Sequence, residues 1–153
     1  MIRQVLEQWI GELSIPNEKY GGQPTCPFAQ KALAKNKVVL EYCGPYLLDR
    51  LHRLTYIEPD VDVYMLEFSP HLYNADLLDT IVEQLNTTHP YLLVLATHPK
   101  HDDPSHPTLG LVFVQRKADM IAAVDYLRTT SYYDNNSLPE WYPPSLKLRR
   151  DKQ

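Results

Sequence analysis

The strongest constraint on the fold is an amphipathic helix predicted between two apolar strands. Asn74 is a favourable helix N-cap residue, and Leu77, Leu78, Ile81, Val82 and Leu85 follow it at helical spacing. Apolar runs at 61–68 and 91–97 stand on either side of this segment and predict buried strands. Because the helix spans about residues 74–87, it is long enough to connect two strands of one sheet.

The remaining periodic segments give the order α-α-β-α-β-α-β-β-α along the chain. Prolines and glycines stand between the apolar segments and mark turns. The other helices are predicted over 2–13, 28–33, 45–55 and 117–129, and the other strands over 38–42 and 109–115.

Two architectures fit this order. In the first, strands 61–68, 91–97 and 109–115 form most of a ferredoxin-like split βαβ unit, and strand 38–42 supplies the fourth position, as in a permuted fold. In the second, residues 38–130 follow the order of a thioredoxin-like fold. We favour the first, because the segment at 45–55 is short for a packed crossover helix.

The predicted fold class is therefore α+β, with a four-stranded sheet and packed helices. At 153 residues, one domain is the default expectation. We predict a single domain over 1–130, followed by an extended C-terminal tail over 131–153 that is rich in tyrosine and proline.

Charge and hydropathy exclude several classes of protein. The chain carries 15 Lys and Arg against 19 Asp and Glu, so it lacks the basic excess of a nucleic-acid-binding domain. No apolar run approaches the ~20 residues that span a membrane, and residues 1–13 lack the apolar stretch of a signal peptide. With only two cysteines, the sequence predicts a cytoplasmic protein with free thiols.

Cys26 is the first candidate functional residue. It precedes Pro27, which suits the first turn of a helix. Free N–H groups and the helix dipole at that position favour a thiolate, which could serve as a nucleophile, a redox thiol or a metal ligand. The alternative is a small buried side chain beneath the loop that contains Gly21 and Gly22.

The loop after strand 91–97 holds the densest group of potential metal ligands. His98, His101, Asp102 and His106 combine imidazole and carboxylate groups, which suit a transition metal such as Zn or Fe. The alternative is a solvated polar loop. His98 differs from the others because it ends a buried strand, where its ring is held rigidly.

Cys43 begins a Cys-Gly-Pro-Tyr sequence that is similar to a thioredoxin motif whose second thiol is replaced by Tyr46. A dithiol mechanism needs that second thiol. A structural turn is therefore the better interpretation of Cys43–Tyr46, since Gly-Pro commonly ends a strand.

Several of these residues occur together in a known family. Trp9, Cys26-Pro27-Phe28-Ala29, the strand-end pair His98-Pro99 and Pro107-Thr108-Leu109 resemble the domain-of-unknown-function family DUF1415 over about residues 5–127. The family's other strand-end histidine is Ser69 here. The resemblance implies the same α+β fold and supports the choice of Cys26 and His98.

Two functional hypotheses follow. In the first, the protein is a small enzyme in which Cys26 is a nucleophile or metal ligand and His98 is its general base or co-ligand. In the second, the protein is a non-catalytic α+β module that binds a small-molecule ligand or a partner chain through its sheet face or its tyrosine-rich tail. A homodimer is compatible with the second hypothesis.

Overall fold

The computed structural model describes residues 2–100 and 110–147. The predicted elements are all present, and they are joined by a 3-10 turn at Glu18–Tyr20 and a short helix near the C-terminus. The helices are α1 (Ile2–Leu13), α2 (Ala29–Ala34), α3 (Leu47–Arg53), α4 (Ala75–Thr88), α5 (Lys117–Leu127) and α6 (Pro144–Lys147). The strands are β1 (Val38–Gly44), β2 (Val63–Phe68), β3 (Leu92–Thr97) and β4 (Gly110–Arg116).

The four strands form one mixed sheet in the order β1-β2-β4-β3. Strand β4 is antiparallel to both β2 and β3, so β2 and β3 run in the same direction with β4 between them. Helix α4 connects β2 to β3. This is the predicted split βαβ unit, and β1 lies beside β2 in the predicted fourth position.

The orientation of β1 departs from the ferredoxin-like pattern. The fourth strand of that fold is antiparallel to its neighbour, whereas β1 is parallel to β2. The reason is the connection, because α3 returns the chain from the end of β1 to the start of β2, and such a crossover joins parallel strands. In a thioredoxin-like fold, the first strand lies between the second strand and the hairpin of the third and fourth strands. Here β2, and not β1, lies next to the hairpin of β3 and β4.

One face of the sheet forms the main hydrophobic core with α3 and α4. Leu66 and Val112 point into this core from the sheet, and Leu47 and Leu78 from the helices; all four are almost fully buried. Asn74 caps α4 as predicted, because its side chain accepts a hydrogen bond from the N–H of Leu77. The core therefore forms between the helix and the strands that the sequence pattern predicts most clearly.

The opposite face of the sheet is also buried. Strand residues alternate between faces, and the residues that point away from α3 and α4 include Val63, Met65, Leu93 and Leu111, each with little exposed surface. Apolar side chains therefore point to both faces of the sheet.

The outer edge of β3 is covered by a side chain of α4. Asn86 Nδ2 donates to the carbonyl of Val94 at 2.8 Å, and Asn86 Oδ1 accepts from the N–H of Val94 at 2.7 Å. A single amide thus pairs both backbone groups that Val94 turns away from β4. Covering an edge in this way prevents it from pairing with another chain.

Residue contacts divide the chain into two compact units. The sheet unit comprises Lys31–Lys117, and the terminal unit comprises the residues up to Gln30 and from Ala118 onward. These boundaries differ from the one predicted at residue 130. The predicted tail is not extended over 131–147, because it contains turns, helix α6 and the fully buried Tyr142.

Tyr142 holds this segment to α5 within the terminal unit. Its hydroxyl donates to the carboxylate of Asp125 and accepts from Arg128 at 3.1 Å. Arg128 also donates to the carbonyl of Leu146 at 2.8 Å. Residues 142–146 are therefore fixed by polar contacts as well as by the burial of Tyr142.

Candidate functional site

Cys26 lies in the loop that precedes α2, as the sequence predicts. The backbone N–H of Cys26 donates to the carbonyl of Leu13 at 3.1 Å and so ties this loop to the end of α1. Burial is the largest influence on the pKa of the thiol and raises it. Hydrogen bonds from the backbone N–H groups of Phe28 and Ala29 lower the pKa, but by less than burial raises it. Burial of Cys26 therefore opposes the thiolate that the sequence predicts, and the two backbone N–H groups favour it.

Three tyrosines pack together, and Tyr132 at their centre contacts this loop; we call Tyr20, Tyr132 and Tyr133 the tyrosine cluster. The rings of Tyr20 and Tyr132 are stacked with centroids 4.7 Å apart, and Tyr133 meets Tyr132 edge-on at 4.8 Å. Burial raises the pKa of Tyr132 and that of Tyr133, the latter to about 12. The neighbouring Cys26 contributes to the shift at Tyr132. The residue that the structure brings to the cysteine is thus a tyrosine of the C-terminal segment.

Hydrogen bonds anchor the tyrosine cluster to the loop. The Tyr132 hydroxyl donates to the carbonyl of Thr25 at 2.5 Å, and the Ser131 hydroxyl donates to the carbonyl of Gly21 at 2.6 Å. Gly21 has φ +64°, and a Cβ at this position would lie 2.0 Å from the Ser131 carbonyl oxygen. The Gly21-Gly22 pair is the sequence signal for this close approach, although sequence reasoning did not connect it with residue 131.

An aromatic pair lies exposed in the same unit. Phe28 and Tyr126 meet edge to face with ring centroids 6.2 Å apart, and they are 40% and 60% exposed. The hydroxyl of Tyr126 makes no hydrogen bond to any residue within 2–100 or 110–147. Tyrosine is enriched at protein interfaces, because its ring is apolar and its hydroxyl can bond a partner.

His98 lies at the end of β3 in the sheet unit, and both of its ring nitrogens meet the backbone. Nδ1 accepts from the N–H of Lys100 at 3.0 Å, so the proton is on Nε2, which donates to the carbonyl of Tyr73 at 2.7 Å. The residue is only 3% exposed. These contacts join His98 at the end of β3 to the segment just before α4.

Cys26 belongs to the terminal unit and His98 to the sheet unit. In the parts of the chain that the structure describes, no three His, Cys, Asp or Glu side chains converge to hold a metal ion. The other predicted ligands, His101, Asp102 and His106, lie outside the described residues. A zinc or iron site at these residues stays a prediction.

Cys43 is buried at the end of β1, and its surroundings hold it as a neutral thiol. Burial, together with the charge of the Glu41 carboxylate, raises the pKa of Cys43 to about 11. The thiol lies 3.7 Å from Glu41 Oε2. A thioredoxin-like nucleophile is reactive only as an exposed thiolate, so this environment favours the structural turn over the redox interpretation.

Glu41 also forms a two-point ion pair that sequence reasoning missed. Arg50 Nε lies 2.6 Å from Glu41 Oε2, and Arg50 Nη2 lies 3.2 Å from Oε1. The guanidinium also stands over the ring of Tyr64, whose hydroxyl donates to Glu58 and whose pKa is thereby raised to about 12. The spacing of these residues carries no motif, because they meet only when α3 packs on the sheet.

None of the described helices is long and apolar enough to cross a membrane. Comparison of the chain with family models, with curated proteins and with solved structures found no match. The resemblance to the DUF1415 family therefore stays a prediction from the residues quoted above.

Proposed function

We propose that this protein is a non-catalytic binding module that recognises an extended, proline-rich segment of a partner chain. The recognition residues are the aromatic side chains of the terminal unit. The observation that carries the proposal is the exposed contact between Phe28, which follows the loop that the tyrosine cluster anchors, and Tyr126 of α5.

The state of the two candidate catalytic residues favours binding over catalysis. A nucleophilic cysteine needs a lowered pKa or an adjacent base, and burial raises the pKa of Cys26. A general base needs a free lone pair, and the Nδ1 lone pair of His98 is already engaged by the N–H of Lys100. Activation of Cys26 would therefore require its burial to be relieved, and activation of His98 would require its contact with Lys100 to break.

The chemistry of the aromatic residues suits a proline-rich chain. Such chains adopt a preformed extended helix and dock on exposed aromatic rings. Their carbonyl groups have no internal partners and accept hydrogen bonds from tyrosine hydroxyls. The rings of Phe28 and Tyr126 and the hydroxyl of Tyr126 supply both kinds of contact.

The test uses the full chain labelled with ¹⁵N and a proline-rich decapeptide as the probe. A matched decapeptide with alanine in place of proline is the control ligand. We expect the proline-rich peptide to shift the amide signals of Phe28 and Tyr126 in a saturable way. Tyr126→Ser should weaken binding at least about fivefold, as removal of a central interface aromatic does.

Tyr91→Ser is the matched control variant, because Tyr91 is 77% exposed but lies in the sheet unit. It should bind the peptide as the wild type does, and so should Cys26→Ser. The proposal is wrong if both decapeptides bind alike, if neither binds, or if Tyr91→Ser weakens binding as much as Tyr126→Ser.

An enzyme that uses the Cys26 thiol is the second candidate function. The observation in its favour is the pair of backbone N–H groups, from Phe28 and Ala29, that hydrogen-bond the sulfur and would stabilise a thiolate. Alkylation by iodoacetamide at neutral pH separates the candidates. The binding module predicts that Cys26 reacts no faster than an ordinary thiol, whereas fast alkylation would favour the enzyme.

We also propose that the protein works in the cytoplasm. Both cysteines are free, which suits a reducing compartment. Fractionation of cells that make the tagged full chain tests this proposal, and recovery outside the cytoplasmic fraction would contradict it.

A further inference from the structure

The two aromatic residues of the proposed function come from distant parts of the chain. Phe28 precedes α2, and Tyr126 lies near the end of α5. The whole sheet unit, Lys31–Lys117, stands between them in the sequence. Their contact therefore depends on bonds between two segments of the terminal unit that the chain does not join directly.

The backbone of Tyr132 is tied to the end of α5. Its N–H donates to Thr130 Oγ1 at 3.1 Å, and that hydroxyl donates in turn to the carbonyl of Leu127 at 2.6 Å. Leu127 is the last residue of α5 and directly follows Tyr126. Tyr132 is therefore fixed relative to the helical turn that carries Tyr126.

The side chain of Tyr132 reaches the other segment. Its hydroxyl donates to the carbonyl of Thr25 at 2.5 Å. Only Cys26 and Pro27 lie between Thr25 and Phe28, and the pyrrolidine ring of proline fixes its φ angle. A single side chain thus bridges the last turn of α5 and the short stretch that ends in Phe28.

Two other contacts hold the same segments together without this hydroxyl. The ring of Tyr132 stacks on that of Tyr20 with centroids 4.7 Å apart, and the Ser131 hydroxyl donates to the carbonyl of Gly21 at 2.6 Å. Neither contact uses the Tyr132 oxygen. Removal of that oxygen alone therefore tests the bridge separately from the packing of the C-terminal segment.

We propose that Tyr132 is a positioning residue whose hydroxyl holds Phe28 at Tyr126 and so presets the aromatic pair for its ligand. The inference rests on the proposed function, because it concerns the same site. Tyr132 acts through the carbonyl of Thr25 and does not itself contact the ligand. When a ligand binds only the paired rings, its apparent dissociation constant rises as the fraction of paired molecules falls. Loss of the Tyr132–Thr25 hydrogen bond lowers that fraction.

The first experiment measures the binding of the proline-rich decapeptide to the full chain and its variants. Tyr132→Phe keeps the ring and removes the hydroxyl, and it should raise the dissociation constant about fivefold, which corresponds to one net hydrogen bond. Tyr133→Phe is the matched control, because Tyr133 belongs to the same cluster and its hydroxyl bonds no residue within the described parts of the chain. It should bind the peptide as the wild type does.

The second experiment needs no peptide. In the free protein, nuclear Overhauser cross-peaks between the ring protons of Phe28 and Tyr126 report whether the rings meet, since their centroids are 6.2 Å apart in an edge-to-face contact. We expect these cross-peaks in the wild type and in Tyr133→Phe, and weaker ones in Tyr132→Phe.

Both experiments separate positioning from stability. They are made at a temperature at which circular dichroism shows each variant folded, so a loss of global stability alone changes neither readout. Thr130→Val removes the tie between Tyr132 and α5 and should have the same two effects as Tyr132→Phe. This second variant decides the matter if Tyr132→Phe does not fold.

Unchanged ring cross-peaks in Tyr132→Phe would overturn the proposal. So would weaker cross-peaks without any loss of peptide affinity, or equal effects of Tyr132→Phe and Tyr133→Phe. If the wild-type chain does not bind the peptide, the proposed function is wrong, and the cross-peaks still decide whether the Tyr132 hydroxyl positions Phe28.

Discussion

Replacement of Asn86 by alanine should destabilise the sheet unit by about 2 kcal/mol. The Asn86 amide makes two hydrogen bonds, of 2.7 and 2.8 Å, to the N–H and C=O of the buried Val94. Each net hydrogen bond contributes about 1 kcal/mol, and a buried group left unpaired costs about 1–3 kcal/mol. Alanine regains about 0.5 kcal/mol through its higher helix propensity.

Urea unfolding of the full chain, followed by circular dichroism, measures this change. Thr87→Ala is the matched control, because Thr87 is the next residue of α4, is exposed, and bonds only the carbonyl of Glu83 within its own helix. Its effect should stay within about 0.5 kcal/mol. Hydrogen exchange gives a second readout, because the Val94 amide should lose protection in Asn86→Ala.

If Asn86→Ala lowers the free energy of unfolding by less than about 0.5 kcal/mol, this reasoning is refuted. It would mean that water replaces the side-chain amide at β3 without cost, so that the edge is solvated rather than covered. Equal losses for Asn86→Ala and Thr87→Ala would refute it as well, because the effect would then belong to the helix and not to the edge.

Two further predictions concern the terminal unit and the buried thiol of the sheet. Gly21→Ala should lower the free energy of unfolding by several kcal/mol, because its Cβ would meet the Ser131 backbone. Gly22→Ala is the control and should lower it by about 1 kcal/mol, because Gly22 has φ +84° but open space around it. Similar losses in thermal unfolding of the two variants would contradict the close approach at Gly21. Glu41→Gln should lower the pKa of Cys43 from about 11, because it removes a negative charge beside the thiol. The pH profile of Cys43 alkylation measures this shift, and an unchanged profile would show that burial alone sets the pKa.

Local physics explains why the elements were predictable. The cap at Asn74 and the apolar spacing after it predict a helix over 74–87, and the structure has α4 at Ala75–Thr88. Likewise, the spacing in residues 2–13 matches α1 at Ile2–Leu13. Helical periodicity and capping involve residues within a few positions of each other, so the sequence carries their signal directly.

The candidate site was less predictable, because its properties depend on distant residues. The sequence correctly indicates that backbone N–H groups favour a thiolate at Cys26. It does not indicate that burial beside Tyr132, which is more than a hundred positions away, raises the pKa instead. In the same way, a strand-end histidine is visible in the sequence, but the carbonyl of Tyr73 that fixes His98 is not.

The sequence by itself determined the order and type of the elements, the α+β class and the strand that completes the sheet. Only the tertiary structure decided that β1 runs parallel to β2, that one edge of the sheet is covered, and that residues 131–147 pack instead of forming a tail. The physical reason is the range of the interactions. Helix and strand propensities act within a few residues, whereas strand pairing and burial depend on segments that meet only when the chain folds.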